Sequence, residues 1–132
     1  MSSTGRRDAL FPDGLGRPKA PYSPVVRSGE HVYTAGQVGS DAEGQLVAGG
    51  IAEQTTQALA NLELCLRAAG CTLGHVVKVN VFLANLAEFE AFNAVYREAF
   101  DEPYPARTTV QAGLPSGIRV EIEAVARIPA TT

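Results

Sequence analysis

An α+β sandwich, with two helices on one face of a mostly antiparallel sheet, is the fold class this sequence predicts. Three observations carry it. Two-residue and helical periodicities alternate along the chain in the order strand, strand, short strand, helix, strand, helix, strand, strand. The last strand-like run alternates cleanly, with Ile118, Val120, Ile122, Ala124 and Ala126 on one side and Arg119, Glu121 and Glu123 on the other. Only two amphipathic helical segments are present, enough to cover one face of such a sheet.

The elements follow in order. Residues 1–19 are rich in Gly, Pro, Arg and Ser and read as a flexible N-terminal arm, and residues 20–130 as a single domain. Pro21 and Pro24 impose an extended start on the domain. Val25–Ser28 and His31–Ala35, separated by Gly29-Glu30, predict a β-hairpin. After Gly36 and Gly39, Asp41-Ala42-Glu43-Gly44 reads as a turn and Gln45-Leu46-Val47 as a short returning strand. From Ile51 to Ala69, Thr55, Leu59, Leu62, Leu66 and Ala69 recur at helical steps, and Gly70 stands where a left-handed cap ends a helix. Val76–Leu83 is a strong central strand. Asn85, with Glu88 three residues on, reads as a capping box opening a second helix whose apolar stripe is Phe89, Phe92, Tyr96 and Phe100. Pro103 and Pro105 end that helix, and the two final strands follow. The uncovered face of the sheet carries both polar and apolar side chains, so neighbouring subunits in a closed cyclic oligomer are the expected cover.

With 132 residues, 45% of them hydrophobic, the chain is long enough for one packed core and too apolar for disorder. The net charge of −3 gives no electrostatic footprint for nucleic acid or an anionic membrane. The apolar runs fall far below the roughly 20 residues that span a bilayer, and the N-terminus has no apolar secretory region, so a cytoplasmic location is expected. Cys65 and Cys71 fit no metal or redox spacing and read as reduced, buried thiols. His31 and His75 are too far apart in sequence to suggest a His-based metal cluster, so no metal site is expected.

The chemistry concentrates near the C-terminus. Pro105-Ala106-Arg107-Thr108-Thr109-Val110 and Ile118–Ala126 are strand-like runs joined by a turn at Leu114-Pro115-Ser116-Gly117. A guanidinium grips a carboxylate with two parallel hydrogen bonds, and a glutamate on an adjacent strand holds a water beside it. Arg107 and Glu121 therefore suggest a small carboxylate substrate and a hydrolytic step. Glu123 shares the face of Glu121 and is the competing carboxylate; the pair would raise one pKa. The alternative for Arg107 is a salt bridge at a subunit interface. Tyr22, held between prolines, reads either as a lid or as a tether for the arm. Asn93 interrupts an apolar stripe and needs a buried partner, backbone or ligand. Gly36 serves backbone geometry or close approach of a ligand.

Several strings together resemble the RidA/YjgF family of enamine/imine deaminases. They are Ala20-Pro21-Tyr22-Ser23, Thr34-Ala35-Gly36-Gln37-Val38-Gly39, Ala68-Ala69-Gly70-Cys71, Val77–Leu83, Phe92-Asn93-Ala94-Val95-Tyr96, Pro105–Val110 and Val120–Ala126. The resemblance implies a chorismate-mutase-like fold and a homotrimer with three intersubunit clefts. It also implies cofactor-free hydrolysis of 2-aminoacrylate and 2-iminopropanoate-type acids to 2-keto acids and ammonia. By position it makes Arg107 the carboxylate grip, Glu121 the residue that positions water, and Tyr22 the cover. It puts Asn93 beside the pocket and the backbone of Gly36 toward the ligand. Thr109 joins the substrate-binding set at a position where the family often has cysteine, and Ala35 replaces a usual serine. The segment from Arg107 to Leu114 is one residue shorter than the family pattern. Those departures keep two alternatives open: a catalytically weak trimeric binding module for small carboxylates, and a pathway-specific deaminase of a larger imine.

Overall fold

The computed structural model describes residues 7–130. Its strands are β1 (Asp8–Leu10), β2 (Val25–Ser28), β3 (His31–Thr34), β4 (Val76–Leu83), β5 (Ala106–Gln111) and β6 (Val120–Arg127), with α1 (Ile51–Ala68) after β3 and α2 (Phe89–Ala99) after β4. They form one six-stranded sheet in the order β1-β2-β3-β6-β4-β5. Every neighbouring pair is antiparallel except β4 with β5.

The two helices pack on each other and cover one face of this sheet. The residues read as the first helical stripe, Thr55, Leu59, Leu62, Leu66 and Ala69, are all buried, as are Ala58 and Cys65 beside them. Across from them lie Val25 and Val32, Val79, Val81 and Leu83, and Val120, Ile122, Ala124 and Ala126, as the alternation of the last strand requires. Phe92, Tyr96 and Phe100 complete the core from α2. Gly70 closes α1 with φ +81°, the left-handed conformation expected of it. Cys65 and Cys71 are free and buried.

Three expectations change. Residues 1–6 of the expected N-terminal arm lie outside the described residues, but residues 7–19 do not run as a loose arm. Asp8–Leu10 pairs with β2, whose other edge is taken by β3, and Leu10 and Leu15 pack against the core. The free edge of β2 supplies the backbone partners that sequence periodicity cannot reveal. The returning strand at Gln45–Val47 reduces to an isolated bridge between Ser40 and Leu46, because the Asp41–Gly44 turn leaves too little chain to extend it. Asn85 caps a single 3-10 turn, Leu86–Glu88, by accepting from the Ala87 N–H. Glu88 forms no capping box and instead pairs with Arg119 at 2.8 Å.

Two buried amides on α1 hold the loops that frame the site. The Asn61 side chain donates to the carbonyls of Val38 and Ser40, at 3.0 and 2.8 Å. Gln54 bridges the end of the β5–β6 loop, donating to the Gly117 carbonyl at 2.8 Å and accepting from the Arg119 N–H at 2.9 Å. Each bond satisfies a backbone group that the loop leaves unpaired.

Candidate active site

Arg107 sits on β5 opposite Val79, a fully buried residue of β4, so its side chain turns to the helix-covered side of the sheet. Three rings of α2 form its platform. The guanidinium carbon lies 4.7 Å from the ring centre of Tyr96, 5.5 Å from Phe92 and 5.6 Å from Phe89. The stripe that packs α2 into the core thus also cradles the cation. Among the described residues Arg107 has no ion-pair partner, which leaves its fork free for an incoming anion. Asn93, Tyr96, Arg97, Tyr104, Pro105 and Arg107 line a cavity of about 220 Å³ here.

The surroundings are incompletely satisfied. Asn93 Oδ1, Tyr96 OH and, on the same face as Arg107, Thr109 Oγ1 are buried without a hydrogen-bond partner. Unpaired buried polar atoms cost roughly 1–3 kcal/mol each, and they concentrate where a ligand supplies the missing partners. Burial pushes the Tyr96 phenol up to about 12, against the opposing pull of the Arg107 charge. The hydroxyl is therefore neutral at physiological pH. Sequence reasoning counted Tyr96 only as an apolar stripe residue; its spacing of three from Asn93 and its hydroxyl were the available signal. Tyr104 and Arg97 had no such signal.

Glu121 belongs to a second group. It pairs with Phe82 on β4 and points to the open face, away from the helices. Gly36 presses against it: a Cβ at this position would collide with the carboxylate, coming within 2.7 Å of Cγ and Cδ. The neighbouring Gln37 exchanges two backbone hydrogen bonds with Ile122, at 2.8 and 2.9 Å, and so fixes this approach. Tyr22 and Gly36 line one cavity of about 390 Å³, with Tyr22 exposed at its edge. Burial, and then repulsion from Glu123, raise the pKa of Glu121 above its ordinary value. Glu123 accepts a hydrogen bond from Asn80 at 3.1 Å, whereas Glu121 has no such bond among the described residues.

The arginine and the glutamate are therefore not on adjacent strands of this chain. β4 lies between β5 and β6, and the two side chains occupy opposite faces of the sheet. The connection from β5 to β6 reads as a turn in sequence, but it spans the width of β4. The sequence-predicted residues separate: Arg107 and Asn93 line one cavity, with Thr109 on the same strand face, whereas Glu121 packs against Gly36, which shares a different cavity with Tyr22. No group of three or more His, Cys, Asp or Glu among the described residues is placed to hold a metal. No described helix is long and apolar enough to cross a membrane.

Fold and site define a small α+β protein that presents an unpaired, aromatic-cradled arginine from one face and a glycine-packed carboxylate from the other. Comparison with known proteins gives this class a family. The model described as Endoribonuclease L-PSP matches residues 15–128. A human protein named 2-iminobutanoate/2-iminopropanoate deaminase is 45% identical over 131 residues, covering 96% of this chain and 93% of its own length. A Bos taurus protein of the same name is 49% identical with the same coverage. Among solved structures, RidA from the Antarctic bacterium Psychrobacter aligns with a TM-score of 0.86 at 38% identity, over 92% of this chain and 99% of that one. E. coli TdcF with bound serine aligns with a TM-score of 0.85 at 31% identity, again over 92% and 99%. The chain belongs to the RidA/YjgF family, as its motifs suggest, and has that family's fold.

Proposed function

We propose that this protein hydrolyses short 2-imino acids, and their enamine tautomers, to 2-keto acids and ammonia in clefts between the subunits of a homotrimer. The observation that carries the reading is the unpaired Arg107 guanidinium on its aromatic platform, a receptor for a carboxylate. The names of the human and bovine relatives give the matching chemistry. The division of the site favours the oligomer. One chain offers the carboxylate grip and the water-positioning group on opposite faces, so a complete site draws each from a different subunit. The open face also carries Tyr33 and Val110, 45% and 42% exposed, which a neighbouring subunit would cover.

The steps follow from these residues. Arg107 binds the substrate carboxylate with both arms of its fork and fixes C2 of the imine. Asn93, Tyr96 and Thr109 surround this anchor with polar atoms that lack partners. Glu121 of the adjoining subunit accepts a proton from water as the water oxygen bonds to C2, then passes that proton to the imine nitrogen and is ionised again. A carboxylate with a raised pKa suits this exchange. The tetrahedral carbinolamine then breaks its C–N bond. Glu121 takes the hydroxyl proton and delivers it to the departing nitrogen, so ammonia leaves, the 2-keto acid forms and the carboxylate is regenerated. Gly36 leaves room for the carboxylate and the water, and Tyr22 covers the cleft.

Generating 2-iminobutanoate in situ with an amino acid oxidase tests the proposal. Faster release of 2-oxobutanoate and ammonia with protein than without it supports the deaminase. Tight 2-oxobutanoate binding without acceleration would instead select the carboxylate-binding module.

A further inference from the structure

Arg107 is not the only guanidinium in its cavity. Arg97 lines the same 220 Å³ space, four residues after Asn93 on α2 and therefore on the same helix face. No carboxylate contributes to the lining. Arg97 is followed closely by Glu98, Asp101 and Glu102, yet forms an ion pair with none of them. Its place in the last turn of α2 complements the helix dipole, which accounts for a cation there but not for its place in the cavity. A 2-imino acid with an apolar side chain carries one carboxylate and satisfies one guanidinium. The second fork remains unmatched.

We propose that Arg97 is a specificity-determining residue that extends the substrates of this site to 2-imino dicarboxylates, binding the side-chain carboxylate while Arg107 holds the one next to the imine carbon. Amine oxidation of acidic amino acids is the reaction class that supplies such compounds. This inference rests on the deaminase reading of the Arg107 site for its chemistry, but its recognition step is testable by binding alone. Tyr104, exposed at the cavity wall, flanks the second carboxylate, and Arg97 reaches it from the solvent-exposed rim.

The test compares wild-type protein with Arg97→Gln and Arg97→Lys. Binding of 2-oxoglutarate and 2-oxobutanoate is measured by calorimetry, and kcat/KM is measured for imines generated from glutamate and from 2-aminobutanoate. A charge-assisted hydrogen bond at an exposed rim falls at the low end of its usual range, so Arg97→Gln should weaken dicarboxylate binding and kcat/KM about tenfold. The monocarboxylate values should stay within about twofold, and Arg97→Lys should keep most of the preference. An equal dicarboxylate-to-monocarboxylate ratio in wild-type and Arg97→Gln protein overturns the inference. If no imine is hydrolysed faster yet 2-oxoglutarate binding still depends on Arg97, the deaminase reading fails and the dicarboxylate site stands.

Discussion

Replacing Arg107 separates recognition from folding, because among the described residues the side chain has no anionic partner to lose. Arg107→Lys keeps the charge but offers a point donor in place of a fork, so one of two charge-assisted bonds to the substrate carboxylate is lost. Such a bond contributes about 1.5–3 kcal/mol, and each 1.4 kcal/mol is tenfold, which predicts a loss of kcat/KM of roughly 10- to 100-fold. Arg107→Met loses both bonds and the charge, about 3–6 kcal/mol, or roughly 100- to 10,000-fold. Stability should move far less. The substitution removes a cation stacked 4.7 Å from Tyr96, worth about 0.5–2 kcal/mol, and a thioether on the same rings returns part of it. The Tm of Arg107→Met should therefore stay within about 5 °C of wild type. Steady-state release of 2-oxobutanoate from in situ 2-iminobutanoate gives kcat/KM, and calorimetry with 2-oxobutanoate gives the binding term. Arg107→Met with kcat/KM within about threefold of wild type, a difference under 1 kcal/mol, and with unchanged 2-oxobutanoate affinity, refutes the carboxylate grip.

Two further predictions concern the Glu121 group. Gly36→Ala forces the Glu121 carboxylate to move, and an ångström of misplacement predicts a roughly 10- to 100-fold drop in kcat with a near-native melting curve. Unchanged kcat would show that the position of Glu121 is immaterial. Glu123→Gln removes the like charge that helps to raise the pKa of Glu121. The ionised base then persists to lower pH, so the acidic limb of the kcat/KM profile should shift downward; an unmoved or upward-shifted limb would exclude Glu121 as the titrating base.

Much of the fold is legible because its signals are local. The alternation through Val120–Ala126, the stripe from Thr55 to Ala69 and the glycine after it each state their own conformation. Strand order is not local. Val76–Leu83 is the most apolar strand, and its burial requires neighbours on both sides, so it takes the place between β5 and β6 that their sequence proximity suggests is empty. Side-chain parity is equally hidden. Whether Arg107 faces the helices depends on its pairing with Val79, and a one-residue slip would turn it to the open face. Residue types at the site were readable, since an arginine and a paired glutamate announce their chemistry. Their separation was not, and neither was the contribution of Tyr96, whose hydroxyl is hidden within a stripe that reads as core. The first strand is hidden for a related reason: Asp8–Leu10 has no strand signal of its own and is ordered by the edge of β2.

The shared site is tested most directly by mixing two inactive proteins. Arg107→Met and Glu121→Gln chains, co-refolded in equal amounts, assemble at random in the proposed trimer. If each site takes Arg107 from one subunit and Glu121 from the next, the required halves meet in about one quarter of the clefts, and about a quarter of wild-type activity returns. If both groups act from a single chain, every site carries one lesion, and the mixture stays as inactive as its components.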